Sequence, residues 1–206
     1  MTKSSNISVI AITVGILALL GFLFIISAKN LRGGRGGAGN PSTASATSLL
    51  DKQAPSFTLT DVQGKTYTNE TFVGKKVVLL FNEGLRCYPA CWNAMNALGD
   101  DPRFTQGDTA AFSVVVDAPA EWKQAAERVP ELKKVRVLFD ANGAASRAFG
   151  MLTVPSSMHY GSLPGHTYVI LDDFGVVRSI LDDPRMGIRN DDLVSKLSTL
   201  SSDVRL

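Results

Sequence analysis

Two cysteines, two histidines and two tryptophans are all that 206 residues hold of the rarest side chains. So few sulfur and imidazole ligands exclude all-cysteine zinc sites, iron–sulfur clusters and disulfide-stapled mini-domains. Excess charge is lacking too: 21 Lys and Arg against 19 Asp and Glu leave a net charge of +2. No concentrated basic face of the kind nucleic acid requires is expected, so nucleic acid is not a partner. Glycine (18) and proline (9) are too few for a fibrous or disordered chain. A phosphate-cradling glycine loop is missing as well, because the GGRGG run at Gly33–Gly37 follows an apolar stretch rather than a strand. What is present is 45% hydrophobic residues, in a length that suits one ordinary domain with a tail.

The tail comes first. Ile7–Ile26 (ISVIAITVGILALLGFLFII) carries no charge and no polar face. Twenty such residues make a helix about 30 Å long, the thickness of a bilayer's hydrocarbon layer. Ile26-Ser27-Ala28 is a poor cleavage site, with bulky Ile where a small residue belongs, so an uncleaved anchor is expected rather than a signal peptide. The segment that follows, NLRGGRGGAGNPSTASATS, reads as a flexible tether. The expected organisation is a tail over 1–6, a transmembrane anchor over 7–27, a linker over 28–50 and a soluble domain over 51–206. Lys3 before the span and Lys29, Arg32 and Arg35 after it lean by one charge towards a cytoplasmic domain. A disulfide couple suits an outer face instead. The expectation is a single-pass protein of the cell membrane with an extracytoplasmic domain.

Within the domain, Ala54–Leu59 and Thr66–Thr68 predict hairpin arms around the turn DVQGK. Lys76–Phe81 is continuously apolar and β-branched after its first residue, as a central strand buried on both faces is, and Ala111–Val116 repeats that signature. Pro119–Val129 predicts a helix, Val135–Phe139 a strand and Ala141–Phe149 a short helix ended by Gly150. Tyr168–Leu171 and Val176–Ile180 predict a second hairpin, and Asp191–Leu200 a closing helix. Strands alternating with helices imply a parallel-rich α/β sheet covered on both faces.

Both cysteines fall just after the Lys76–Phe81 strand, in NEGLRCYPACW. Pro89 suits the first position of a helix. Cys87 would then lie before that helix, where unpaired N–H groups, the dipole and Arg86 favour a thiolate open to a reagent. Cys91 would lie in the first turn under Trp92. Cα atoms four residues apart on a helix are about 6 Å from each other, within the range a disulfide spans. A bridge between such near neighbours adds little stability and is easily reduced, which favours a redox pair over a structural bridge or two buried thiols.

The run APSFTLTDVQGKTYTNETFVGKKVVLLFNEGLRCYPACW resembles the opening of the redoxin (alkyl hydroperoxide reductase/thiol-specific antioxidant) branch of the thioredoxin superfamily. LFDANGAASRAFGML resembles its "DxxGxxAxxYG" segment, and HTYVILDDFGVV its "xTFxIDxxGxI" hairpin. The resemblance implies a thioredoxin fold with a central mixed sheet, an N-terminal β-hairpin and no organic cofactor. It also implies thiol–disulfide exchange, with Cys87 as nucleophile and Cys91 as resolving cysteine, on a thiol or disulfide protein or a small oxidant such as a peroxide. Peroxiredoxins set a threonine and a proline at fixed positions before the peroxidatic cysteine. Those positions hold Gly84 and Leu80 counted from Cys87, or Tyr88 and Gly84 counted from Cys91, and Gly165 stands where their arginine precedes the strand. The family's cis-proline is expected at Pro164, with Pro155 as the weaker choice. Three residues between the cysteines and a later histidine also resemble the Sco copper-binding proteins, which would make Cys87, Cys91 and His166 copper ligands. Outside that alternative, His166 is an expected base for Cys87. Glu83 is an expected proton relay, Trp92 an auxiliary rim residue, and Met158 and His159 belong to the loop VPSSMHYGSLPG.

Overall fold

The computed structural model describes residues 45–202. The chain divides into two units, Met1–Pro41 and Ser42–Leu206, and the described residues belong to the second. The expected anchor over 7–27 lies outside them. Among the described residues no helix is long and apolar enough to cross a membrane.

Seven strands form one sheet in the order β2-β1-β5-β4-β3-β6-β7. They are β1 (Thr58–Thr60), β2 (Thr66–Thr68), β3 (Lys76–Phe81), β4 (Thr109–Val115), β5 (Val137–Phe139), β6 (Thr167–Leu171) and β7 (Val177–Asp182). The helices are α1 (Ala90–Asp100), α2 (Pro119–Arg128), α3 (Ala144–Ala148) and α4 (Asn190–Ser202). Only β3–β4 and β4–β5 pair in parallel; the other four pairings are antiparallel. The sheet is therefore mixed rather than parallel-rich. β6 returns beside β3 in the opposite sense and forms a hairpin with β7, so both sides of the α/β core end in antiparallel strands.

The alternation of β3 divides the core. Val77, Leu79 and Phe81 point to one face with Phe57, Leu59, Phe72, Phe112 and Phe149. Val78 and Leu80 point to the other with Met95 and Leu98 of α1, Trp122 of α2 and Leu193 of α4. Each strand side chain is thus covered, which explains its continuous apolar run. α1 buries Cys91, Ala94, Met95 and Leu98, a one-face stripe that pins the helix beside the end of β3.

Three departures from the sequence expectations are local. Residues 54–57 are extended but lie off the sheet. Asn69 holds them there, its Nδ2 donating to the carbonyls of Ala54 and Pro55 and its Oδ1 accepting from Phe57 N–H. The Ala141–Phe149 segment splits into a 3-10 turn over Ala141–Gly143 and α3, because Asn142 and Gly143 both take left-handed backbone (φ 58° and 64°). Residues 46–49, at the end of the expected linker, form a 3-10 helix whose Ala46 and Leu49 are buried in the core.

Candidate functional site

β3 ends at Phe81, and five residues carry the chain from there to the first cysteine, Cys87. Asn82 is buried; its Nδ2 donates to Leu80 O and its Oδ1 accepts from Gly84 N–H. Gly84 is left-handed (φ 59°), and a Cβ there would overlap the Asp117 carboxylate, which also accepts Leu85 N–H. Only glycine fits this turn. The indole of Trp92 donates to Gly84 O at 3.2 Å and meets Tyr88 edge-on at 5.1 Å, so it straps the turn to α1. Pro89 is the cap of α1 rather than its first residue, and the Tyr88–Pro89 bond is cis.

Cys87 and Cys91 are joined by a disulfide, with Cα atoms 5.3 Å apart. One helical turn separates them, since Cys91 N–H donates to Cys87 O at 3.0 Å. The pairing and the strand-to-helix junction are those expected from the sequence. The exposure of Cys87 is not: its side chain is only 3% accessible and that of Cys91 1%. Cys87 is covered by Met186, whose Sδ lies 3.7 Å from its Sγ. Met186 has left-handed backbone (φ 53°) in a turn built on buried Asp183, which accepts N–H groups from Arg185 and Gly187 and faces the guanidinium of Arg189 at 3.6 Å. Replacing Met186 by Ala should uncover Cys87. Small hydrophilic thiols such as glutathione would then reduce the disulfide several-fold faster, at a stability cost of about 1 kcal/mol or less. Stopped-flow reduction of wild type and variant checks this, and equal rates would show that Met186 does not cover the sulfur in solution.

His166 is buried at the start of β6 and meets Cys91 rather than Cys87, with Nδ1 3.5 Å from Cys91 Sγ. Its Nε2 faces the Tyr168 hydroxyl at 3.3 Å. Burial holds the imidazole below the ordinary histidine range, against an opposing pull from Gly187 O, Asp183 and Asp182. Burial likewise keeps Tyr168 above its ordinary range as a neutral phenol. Glu83 is buried too, and is no solvated relay. Its Oε1 accepts Met158 N–H (2.8 Å) and His159 N–H (3.1 Å), and its Oε2 pairs with His159 Nδ1 (2.8 Å). Both oxygens are committed to the 154–165 loop.

The expectation of a cis-proline at Pro164 is corrected: among the described residues the one cis bond precedes Pro89, and the Leu163–Pro164 and Val154–Pro155 bonds are trans. The loop enters β6 with Gly165 N–H donating to Met151 O, a path that the lower-energy trans form serves. Pro155 is exposed. A Cβ at Gly165 would overlap Val154 and Ser156, so no arginine fits where peroxiredoxins carry one. Among the described residues no group of three or more His, Cys, Asp or Glu side chains is arranged to hold a metal, and in the alternative copper set Cys87 and Cys91 are bonded to each other. Sequence reasoning missed Met186 and Asp117. The Asp-Pro-Arg-Met-Gly run signals a turn but not what it covers, and Asp117 shows only as the polar residue after β4.

A mixed sheet with helices on both faces, and a cysteine pair bonded at the end of its central strand, define a thioredoxin-fold protein with a dithiol–disulfide couple. The chain belongs to the Redoxin family, whose model matches residues 50–187. It is 31% identical over 132 residues to the chloroplastic peroxiredoxin Q of Populus jackii, covering 63% of this chain and 58% of that protein. The peroxiredoxin Q of Triticum aestivum gives the same identity and covers 57% of its length. The match thus spans less than three-fifths of either relative. Among solved structures, Enterococcus faecalis AhpC superposes with a TM-score of 0.64 at 19% identity, over 74% of this chain and 92% of that one. The reduced 2-Cys peroxiredoxin of Plasmodium vivax gives 0.62 at 17% identity, over 75% and 82%. These likenesses show a shared fold.

Proposed function

We propose that this protein is a membrane-tethered thiol–disulfide oxidoreductase acting on protein substrates. The Cys87–Cys91 disulfide carries the reading: two sulfurs one helical turn apart at the end of the central strand, closing so short a loop that the bridge serves exchange better than stability. Cys87, next to exposed Tyr88, is the attacking sulfur, and Cys91, behind it on α1, resolves. The missing room at Gly84 and Gly165 supports exchange over peroxide reduction, because the groups that orient a peroxide in peroxiredoxins have no space here. A protein substrate is supported by exposed apolar side chains in the three loops around the pair: Tyr88, Met158 and Ile188 are 74%, 56% and 55% accessible. The uncharged Ile7–Ile26 run supports the anchor and the disulfide an extracytoplasmic domain.

The test is a trap. The full chain carrying Cys91→Ser, reduced and mixed with a disulfide-bonded protein such as insulin, is expected to accumulate a mixed disulfide through Cys87. Resolution by external thiol would release it. No adduct, or an adduct formed equally by Cys87→Ser, would overturn the reading.

A further inference from the structure

We infer that His166 is the proton acceptor for Cys91, presenting a bare Nδ1 to its sulfur through a tautomer fixed by Tyr168 and Gly187. The inference deepens the exchange reading and rests on it for its place in a reaction.

The tautomer follows from counting hydrogens. Gly187 O can only accept, and the Tyr168 hydroxyl lies 3.0 Å from it, so the single phenolic hydrogen points to that carbonyl. Towards His166 Nε2 the same oxygen can then only accept, so Nε2 carries the imidazole hydrogen. A neutral imidazole has one N–H, which leaves Nδ1 a lone pair facing Cys91 Sγ at 3.5 Å. Burial keeps the free ring neutral, while Asp182 and Asp183 stabilise the imidazolium once it forms. Tyr168 and Arg189 complete the groups packed around the line, Tyr168 as a phenol and Arg189 paired with Asp183 and Asp192.

Cys91 needs such an acceptor. Its side chain is 1% accessible, so bulk water does not reach its thiol, and burial raises a thiol's pKa. In the exchange, the Cys87 thiolate attacks one sulfur of the substrate disulfide. A Cys87–substrate bond forms, the substrate S–S bond breaks, and the first substrate thiolate leaves and takes a proton from solvent. Cys91 S–H then passes its proton to His166 Nδ1. The thiolate's electron pair attacks Cys87 Sγ, the Cys87–Cys91 bond forms, and the second substrate sulfur leaves with the pair of the broken bond, taking the proton from the imidazolium. The dithiol is oxidised by two electrons, the substrate disulfide is reduced by two, and His166 ends neutral, as in the disulfide structure.

Two measurements on the full chain in detergent micelles test the assignment. In the Cys87→Ser protein, the rise of thiolate absorbance at 240 nm with pH follows the ionisation of Cys91. Adding His166→Gln, whose amide N–H2 replaces the Nε2–H donor but offers no base to Cys91, should move that rise upward by about one pH unit or more, a tenfold loss of thiolate near neutrality. An unchanged titration would overturn the inference, since a merely structural histidine leaves the thiol's titration in place. In the oxidised wild type, histidine 15N spectra should show Nδ1 without hydrogen, and a protonated Nδ1 would also overturn it, whether or not the glutamine variant folds. Neither readout uses a substrate. A protein that titrates as expected yet traps no mixed disulfide therefore refutes the exchange activity while His166 keeps its role.

Discussion

Serine at position 87 is expected to abolish exchange while leaving the fold intact. A hydroxyl is a poor nucleophile towards sulfur and cannot close the bridge, and an adduct formed at Cys91 would have no second sulfur to resolve it. Loss of an activated nucleophile costs on the order of a thousandfold or more in turnover. The stability change should be small by comparison. Cross-linking two residues four apart contributes only about 2 kcal/mol in the loop-entropy account. Insulin reduction and a denaturant midpoint on the same preparation therefore separate two roles for the bridge. An exchange site loses nearly all activity and about 2 kcal/mol. A structural bridge would show the opposite, and full activity in Cys87→Ser would remove Cys87 from the reaction altogether.

How much of this was legible in the sequence depended on how local the determining physics is. The bounds of β3 could be read to the residue, because burial on both faces leaves an unbroken apolar run, VVLLF, behind the half-buried Lys76 that opens the strand. The end of α2 and the 3-10 turn before α3 were placed less well: both depend on single residues leaving helical backbone, as Asn142 does. The mixed sheet could not be read from alternation at all, since the direction of β6 beside β3 is a tertiary choice. At the site, the cysteine pair and its place at a strand end were visible from spacing. The partner of His166 was not. Only the packing of β6 beside α1 decides that the imidazole meets Cys91 and leaves Cys87 to Met186, 99 residues away in sequence. The cover on Cys87 is long-range in the same way. The peroxiredoxin-like register also carried more than substitution: Gly84 and Gly165 are the residues the local backbone requires, so the missing threonine and arginine follow from packing as well as from identity.

Glu83 sets the second large effect, this time on order rather than chemistry. Its carboxylate is almost wholly buried and accepts the N–H groups of Met158 and His159, which lie in the loop that leads through Pro164 and Gly165 to His166. Glu83→Ala removes both acceptors, and each orphaned donor costs about 1–3 kcal/mol where water cannot replace the bond. Because Met158 and His159 are themselves exposed, water will recover part of this, and a loss of about 2–4 kcal/mol is expected. That corresponds to a fall in melting temperature of roughly 5 °C or more for a domain of this size. Glu83→Gln keeps an oxygen for the two N–H groups and an amide towards His159 Nδ1, and should lose about 1 kcal/mol. The signature is local: hydrogen exchange at the Met158 and His159 amides should accelerate strongly in the alanine variant and slightly in the glutamine one. Because the same loop delivers His166 to Cys91, the alanine variant should also resolve mixed disulfides more slowly while still forming them at Cys87. If both variants exchange and melt like the wild type, Glu83 does not hold the loop, and the placement of His166 must rest on β6 and β7 alone.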